Sequence, residues 1–281
     1  MAGSRERQRQ RARERHERQR EERRQRRRQL RQRLSIGLAV VLVLGLAAGL
    51  SVAFAGGSAP SKSKAKASAS PSATSSAATV AEPAHHCTYT STGGGKPSLP
   101  PATPDYTAAY TATINTNLGK IDINLLNSKA TCTVNSFVHL AATNFWNNTQ
   151  CHRLSTSNGV YILQCGDPTA SANQALSCSS TTLGTGGPGY QFADENLSGA
   201  TYKAGTVAMA NGGPNTNGSQ FFLVYKNTTE PASYTPFGTI TSGLDILQNV
   251  AKAGTSCTFQ DGGGGVPKEK VIINSVTVHK S

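Results

Sequence analysis

The feature that most constrains this chain is an uncharged apolar run of 21 residues from Leu34 to Phe54. At about 1.5 Å per helical residue, such a run is long enough to cross about 30 Å of hydrocarbon. The sequence therefore predicts one transmembrane helix over residues 34–55. It is the only candidate span in the chain, and it separates a short N-terminal part from a long C-terminal part.

Charge on the two sides of this run predicts its orientation. Residues 1–33 contain 15 Arg and 5 Glu with almost no apolar side chains, so they form a solvated tail without a core. Only three Lys follow soon after the run. Because cytoplasmic flanks carry the excess of basic residues, we expect a single-pass cell-membrane protein with a cytoplasmic N-terminus and an extracytoplasmic remainder.

A cleaved signal peptide is the competing interpretation of the same segment. Ala53-Phe54-Ala55 before Gly56 resembles a small-x-small cleavage site. The apolar run is longer than the usual core of a signal peptide, which favours an uncleaved anchor. The direction of export is the same in both cases, and the sequence leaves cleavage after Ala55 open.

The net charge of +13 belongs to the tail and not to a folded domain. Residues 84–281 contain 10 basic and 9 acidic side chains, which excludes a strongly basic surface on that part. Clustered Arg could neutralise nucleic-acid phosphates. The interleaved Glu and the absence of aromatic residues favour anionic lipid headgroups over nucleic acid as the partner of the tail.

After the apolar run, the sequence predicts a Ser/Ala/Pro/Gly-rich linker over residues 56–104 and one folded domain over residues 105–281. Alternating apolar residues predict two strands joined by a turn around Asn117. Helical periodicity predicts a helix from Thr133 to Ala142, capped by Thr133, and a second from Gly243 to Ala251. Many short strands with two short helices indicate a closed antiparallel β-barrel.

Cysteine usage agrees with an oxidising compartment. All six Cys follow the apolar run, an even number that predicts up to three disulfides with fifteen possible connectivities. Cys151 and Cys165 could bridge if they lie on neighbouring strands. No Cys-x-x-Cys occurs, so we expect no metal site.

The segment from Met209 to Phe222, MANGGPNTNGSQFF, resembles the signature of cyclophilin-type peptidyl-prolyl isomerases. Four further matches occur in the order of the family, namely NSFVHL, His-Arg followed by QCGD, FADENL and a late Phe-Gly. The resemblance covers residues 107–278. It implies an all-β fold with a closed eight-stranded antiparallel barrel capped by two short α-helices.

The chemistry that this resemblance implies is simple. An Xaa-Pro bond isomerises over a barrier of about 18–20 kcal/mol that reflects amide conjugation. Catalysis requires an apolar slot for the proline ring and donors that favour the twisted bond, with no nucleophile or metal. We therefore expect no cofactor.

The resemblance also assigns the site residues. Arg153 is the only Arg outside the tail, and its planar fork of donors suits a catalytic donor, with Gln164 orienting it. The expected substrate-binding residues are Tyr161, Ile162 and Phe222 for the proline slot, Ala210 and Asn211 for the adjoining groove, Gln220 for polar support, and Tyr234. The second Phe of the pair, Phe221, is expected to point into the core.

The chain departs from the family pattern at several positions. Cys151 replaces the Phe before His-Arg, Cys165 replaces a Gly, and the segment STSNGVY after Arg153 is longer than usual. Tyr234 stands where many members carry a groove His. The Trp with which many members grip cyclosporin has no counterpart, so we predict weak binding of that drug.

Two functions remain in view at this point. The first is a monomeric isomerase that assists the folding of secreted or cell-envelope proteins at Xaa-Pro bonds. The alternative is a catalytically weak scaffold that binds Pro-containing polypeptides at the outer, membrane-facing surface of the cell envelope.

Overall fold

A computed structural model describes residues 86–93, 97–260 and 262–281. The predicted tail (1–33), the predicted transmembrane helix (34–55) and most of the predicted linker lie outside the described residues. Within the described ranges, no helix is long and apolar enough to cross a membrane.

The described ranges contain eleven strands and two helices. The strands are β1 (Tyr89–Ser91), β2 (Tyr110–Thr116), β3 (Gly119–Leu125), β4 (Thr149–Gln150), β5 (Arg153–Ser157), β6 (Val160–Cys165), β7 (Tyr190–Phe192), β8 (Thr206–Met209), β9 (Phe221–Val224), β10 (Pro236–Ser242) and β11 (Ile272–Lys280). The helices are α1 (Thr131–Ala142) and α2 (Leu244–Ala253). Nine strands form one antiparallel sheet in the order β4-β11-β2-β3-β10-β8-β9-β6-β5, and β1 pairs with β7.

The large sheet curls around the core as a half-barrel and does not close, so the prediction of a closed eight-stranded barrel is wrong. β4 and β5 lie at the two ends of the sheet and are separated in the chain only by Cys151 and His152. The chain changes neighbours there: the Cys151 N–H donates to Val271 O (2.9 Å) and the His152 N–H donates to Gln164 O (3.0 Å). No ladder between β4 and β5 joins the two ends of the sheet.

The first hairpin follows its sequence pattern closely. Ala112 and Ile114 of β2 and Ile121 and Ile123 of β3 alternate with more exposed residues, and each is at most 1% exposed. The predicted turn at Asn117 is confirmed, since Thr116 pairs with Gly119 across it. Because side chains alternate between the two faces of a strand, these four residues lie on one face of the hairpin, and that face packs on the core.

An aromatic cluster lies between α1 and the sheet. The Phe137 ring of α1 is centred 4.7 Å from the Trp146 ring, 5.9 Å from Phe221 and 5.3 Å from Phe237. The prediction that Phe221 points into the core is confirmed. Burial of these large rings helps to hold α1 on the sheet.

The N-terminus of α1 is capped by a residue distant in sequence. Glu195 Oε1 accepts the Cys132 N–H (3.0 Å), and Oε2 accepts the N–H and the hydroxyl of Thr133 (both 2.7 Å). The predicted cap by Thr133 is wrong, because the helix begins two residues earlier and Thr133 donates from within its first turn. A carboxylate at this end accepts hydrogen bonds from backbone N–H groups that have no partner within the helix. Its negative charge also interacts favourably with the positive end of the helix dipole.

Three disulfides pair all six cysteines: Cys87–Cys132, Cys151–Cys165 and Cys178–Cys257. The suggested bridge between Cys151 and Cys165 is confirmed. It joins Cys151, which lies two residues before β5, to Cys165, the last residue of β6, at the end where these strands carry Arg153 and Gln164.

Residues 86–93 pack on the domain although the prediction assigned them to the linker. Cys87 is 1% exposed and bonded to α1, and β1 pairs with β7. The Tyr89 hydroxyl donates to Cys132 O (2.8 Å). The packed part of the chain therefore begins before residue 105.

Candidate active site

Three polar side chains form a row across β5, β6 and the start of β9. Arg153 lies opposite Gln164 in the β5–β6 ladder. Arg153 Nη1 donates to Gln164 Oε1 (3.0 Å), and Gln164 Nε2 donates to Gln220 Oε1 (2.9 Å). We call these residues the polar row. The structure thus brings together three residues that the sequence assigned to one site.

The polar row has a fixed direction. A guanidinium can only donate, so Gln164 must present its oxygen to Arg153 and its nitrogen to Gln220. Gln220 Nε2 then donates to the carbonyls of Gly184 (2.9 Å) and Gly186 (2.8 Å). Each amide orientation follows from the one before it, and the whole row is oriented by Arg153.

Arg153 is held at two of its five N–H groups. Besides the bond to Gln164, its Nε donates to the carbonyl of Gly263 (2.6 Å). Its three other N–H groups have no hydrogen-bond partner among the described residues. The guanidinium is therefore fixed in orientation and keeps donors for a bound group.

An apolar slot lies beside the polar row on the same face of the sheet. Phe222 is the Cα partner of both Gln164 on β6 and Ala208 on β8. The buried members of the slot are Ile162, Tyr202, Ala208, Phe222 and Val224, and its partly buried rim contains Val160, Ala200, Ala210 and Tyr234. This cluster is separate from the main core.

The slot includes Ile162 and Phe222 as predicted but not Tyr161. Tyr161 faces the other side of β6, where its ring is centred 6.1 Å from Tyr225 and lies under Lys226 Nζ (4.5 Å). Val160 takes the place on the slot side. The structure therefore does not bring Tyr161 together with the other predicted slot residues.

A tight turn explains this placement. Asn158 and Gly159 both have positive φ (56° and 80°), and Ser157 pairs with Val160 across them. Such a two-residue Asn-Gly turn fixes the register of a hairpin. Gln164 lies on the slot face of β6, and side chains alternate between the two faces along a strand. Ile162 and Val160 therefore lie on the slot face as well. This signal was present in the sequence.

The remaining predicted residues form the rim. Tyr234 packs edge-on to Phe222, with ring centroids 5.5 Å apart, and its carbonyl accepts the Tyr202 hydroxyl (2.8 Å). Asn211 Nδ2 donates to Ser233 O (2.9 Å), so it ties the loop after β8 to the segment that carries Tyr234. Burial raises the pKa of the Tyr202 hydroxyl, which keeps it neutral and donating.

A cavity of about 540 Å³ opens beside the polar row. Its lining includes Gln164, Gln220, Ala210 and Asn211 together with residues 184–189 of the chain. A peptide whose proline ring fills the slot would therefore have room for its neighbouring residues.

His152 lies next to Arg153 but is turned into the interior. It is 2% exposed, and neither ring nitrogen has a hydrogen-bond partner among the described residues. Burial lowers the pKa of His152 to about 4, with Asp167 opposing and Arg153 adding to the effect. A neutral imidazole leaves Arg153 as the positive charge at this end of the row.

Several site residues were not foreseen from the sequence. Tyr202 and Val224 complete the slot, and the carbonyls of Gly184, Gly186 and Gly263 hold the polar row. Of these residues, only Val224 could have been predicted from the sequence, because it lies two residues after Phe222 on the same strand and so on the same face. Within the described ranges, no group of three or more His, Cys, Asp or Glu side chains could hold a metal ion.

Comparison with known proteins identifies the family to which this chain belongs. Residues 111–278 match the family described as cyclophilin type peptidyl-prolyl cis-trans isomerase/CLD. The match covers more than half of the chain, so the chain belongs to the cyclophilin family.

Two mycobacterial proteins are similar to the C-terminal part of the chain. The chain is 45% identical over 174 residues to the probable peptidyl-prolyl cis-trans isomerase B of Mycobacterium tuberculosis, covering 57% of this chain and 52% of that protein. It is 44% identical over 178 residues to the protein of the same name in Mycobacterium leprae, covering 59% and 55%. The chain thus spans about half the length of these relatives.

Among solved structures, a cyclophilin type peptidyl-prolyl cis-trans isomerase of Cryptosporidium parvum resembles the chain with a TM-score of 0.49. The two are 27% identical, and the match covers 62% of this chain and 99% of that one.

Proposed function

We propose that this chain is a peptidyl-prolyl cis-trans isomerase. The observation that carries the proposal is the position of Arg153, which is anchored at two N–H groups, retains three, and lies beside an apolar slot on the same face of the sheet. Relatives named as isomerases support the assignment.

The proposed mechanism is non-covalent. The proline ring enters the slot between Ile162 and Phe222, which removes it from water, while the free N–H groups of Arg153 donate to the substrate around the prolyl nitrogen and the adjacent carbonyl. Loss of amide conjugation makes the nitrogen a better acceptor in the twisted state than in the ground state. Donation from Arg153 therefore stabilises the transition state more than either planar isomer.

Gln164 has an orienting role in this proposal. Its oxygen fixes one edge of the guanidinium, and its nitrogen is held by Gln220. An oriented donor needs no reorganisation when the bond twists, and this preorganisation accounts for much of the catalytic effect.

Isomerisation of an Xaa-Pro peptide by the oxidised full chain in mild detergent tests this function. Exchange between the cis and trans NMR signals of the peptide measures turnover without a coupled protease. We expect catalysis by the wild-type chain and a loss of about 100-fold in Arg153→Ala, the magnitude typical of removing one transition-state donor. Arg153→Lys is the matched control, since it keeps the charge but not the fork.

The outcome that would reject the enzyme is also specific. If the wild-type chain binds Pro peptides but does not accelerate exchange, the scaffold interpretation replaces this one. If Arg153→Ala retains full turnover, the site has been placed wrongly.

We further propose that the domain is tethered outside the cytoplasm and acts on secreted or cell-envelope proteins. The Arg-rich residues 1–33 before the apolar run support this orientation, and three disulfides agree with an oxidising compartment. Protease treatment of cells with an opened outer envelope, followed by detection of both termini, tests it. Digestion of the domain with protection of the tail is expected; protection of both would reject the orientation.

A further inference from the structure

Two loops without helices or strands lie beside the polar row. The first, which we call the long loop, covers residues 166–189 between β6 and β7. The second, the late loop, covers residues 254–271 between α2 and β11, of which residue 261 lies outside the described ranges. Loops of this length without secondary structure are uncommon in compact domains and are often functional.

Each loop holds one end of the polar row through backbone carbonyls. The late loop provides Gly263 O, which accepts from Arg153 Nε (2.6 Å). The long loop provides the carbonyls of Gly184 and Gly186, which accept from Gln220 Nε2. The two loops thus anchor opposite ends of the polar row.

The disulfide Cys178–Cys257 joins these same two loops. The two cysteines are 79 residues apart in the chain and both are half-buried. Lys270 Nζ also donates across the loops to Ala172 O (3.0 Å), but this is an exposed contact with a flexible side chain. This disulfide covalently links the late loop, which provides the Gly263 carbonyl, to the long loop, which provides the carbonyls of Gly184 and Gly186.

The late loop is also fixed to the strand that carries Arg153. The Leu154 N–H donates to Gly265 O (2.8 Å), and the Gly265 N–H donates to Leu154 O (2.9 Å). In the long loop, Asp167 accepts from the N–H groups of Thr169 and Gly184. Each loop is therefore attached locally near its carbonyl anchor, and the crosslink limits how far the two anchors can move apart.

We propose that Cys178 and Cys257 are positioning residues, whose disulfide clamps the two loops and so fixes the orientation of the Arg153 guanidinium. The proposal rests on the proposed function. Without the crosslink, both loops gain conformational freedom, and the Gly263 carbonyl is held less closely on Arg153 Nε. A small misplacement of an oriented donor is enough to reduce turnover strongly.

The full chain with Cys178→Ala/Cys257→Ala tests this role, with Cys87→Ala/Cys132→Ala as the matched control. The control removes a disulfide that joins the N-terminal segment to α1 and touches no member of the polar row. We expect kcat to fall about tenfold in the first variant, with KM within about twofold because the apolar slot is untouched. The control should retain both constants at temperatures below its unfolding transition.

The NMR signal of the Arg153 Nε–H gives a second readout that a merely structural disulfide would not move. It is assigned by its absence in Arg153→Lys. In Cys178→Ala/Cys257→Ala it should shift toward the position of a free guanidinium and exchange faster with water. In the control it should remain in place.

Selective reduction provides the same test on a protein that has already folded. Cys178 and Cys257 are both half-buried, whereas the other two disulfides contain at least one cysteine that is at most 3% exposed: Cys87, whose partner Cys132 is half-buried, and both Cys151 and Cys165. A soluble dithiol should therefore reduce the Cys178–Cys257 bond first. The dithiol becomes a cyclic disulfide, and two protein thiols form. Turnover should fall as this bond opens and return on reoxidation, with alkylation and mass mapping to confirm the site.

Unchanged kcat and an unchanged Arg153 signal after loss of Cys178–Cys257 would overturn the clamp. Failure of the proposed function looks different: the wild-type chain would then not catalyse isomerisation at all. The Arg153 Nε–H signal would still show whether the disulfide positions the guanidinium.

Discussion

At the scale of the residue, the two faces of β6 make different contacts. Ile162 points into the slot with Phe222, whereas its neighbour Tyr161 contacts Tyr225 and Lys226 on the other side. Ile162 and Tyr161 are therefore a matched pair for mutagenesis, because they are neighbours on one strand and their side chains lie on opposite faces of the sheet.

We predict that Ile162→Ala raises KM for a Pro peptide about tenfold, because it removes apolar surface that would cover the proline ring. Tyr161→Ala should leave KM within about twofold and lower the free energy of unfolding by about 1–2 kcal/mol through loss of its aromatic and cation–π contacts. Steady-state kinetics and urea unfolding of both variants measure these effects. A raised KM in Tyr161→Ala would contradict the assignment of faces.

His152 predicts a dependence of stability on pH. Its pKa is lowered by burial from 6.5 to about 4, so between these values the unfolded chain binds more protons than the folded one. Stability therefore rises with pH across this window, and it is lost as pH falls from about 6.5 to about 4. The loss from this group is on the order of 3 kcal/mol.

Urea unfolding at a series of pH values measures this contribution. His152→Leu should flatten the slope between pH 4 and 6.5, whatever its effect on absolute stability. His279→Gln, at an exposed position, is the control variant for this series. An identical slope in wild type and His152→Leu would show that another group is responsible.

At the scale of the element, turn chemistry determined what could be predicted about the site. The residues of the polar row were identifiable from motifs because each lies within a matched segment. The face of β6 depended on the Asn158-Gly159 turn, whose register the signature alone does not specify. Tyr202 could not be foreseen, because it reaches the slot from a loop between β7 and β8 that has no period.

Helix α1 depends on a single carboxylate for its N-terminal cap. We predict that Glu195→Ala lowers the free energy of unfolding by about 1–3 kcal/mol, because it leaves the N–H groups of Cys132 and Thr133 without their acceptor. Glu195→Gln should retain part of this stability, since an amide oxygen still accepts. Urea unfolding measures both, with Glu269→Ala on the late loop as the control. Equal stability of Glu195→Ala and wild type would exclude the cap.

At the scale of the whole molecule, distant segments meet in ways that local patterns do not specify. The number of cysteines predicted up to three disulfides, but their pairing depends on which loops the sheet brings together. Cys151–Cys165 was foreseeable as a short cross-strand bridge, whereas Cys178–Cys257 joins two irregular loops. The open edge of the sheet has the same origin, since it arises where the chain changes neighbours between β4 and β5.

The division of charge leads to the last prediction. Residues 1–33 carry the excess of positive charge, whereas residues 84–281 are nearly neutral. We propose that the tail binds anionic lipid headgroups, each basic residue contributing about 1 kcal/mol near the surface. A peptide of residues 1–33 should therefore partition onto vesicles rich in phosphatidylserine at low salt and dissociate as salt screens the charges.

Vesicles of neutral phosphatidylcholine are the control for this experiment, and duplex DNA of matched phosphate concentration is the competitor. Binding to anionic vesicles in preference to DNA supports the lipid assignment, because the interleaved Glu should weaken contact with the denser charge of the duplex. Tighter binding to DNA at the same salt concentration would instead assign the tail to nucleic acid. Equal binding to both vesicle types would show that charge does not drive the interaction.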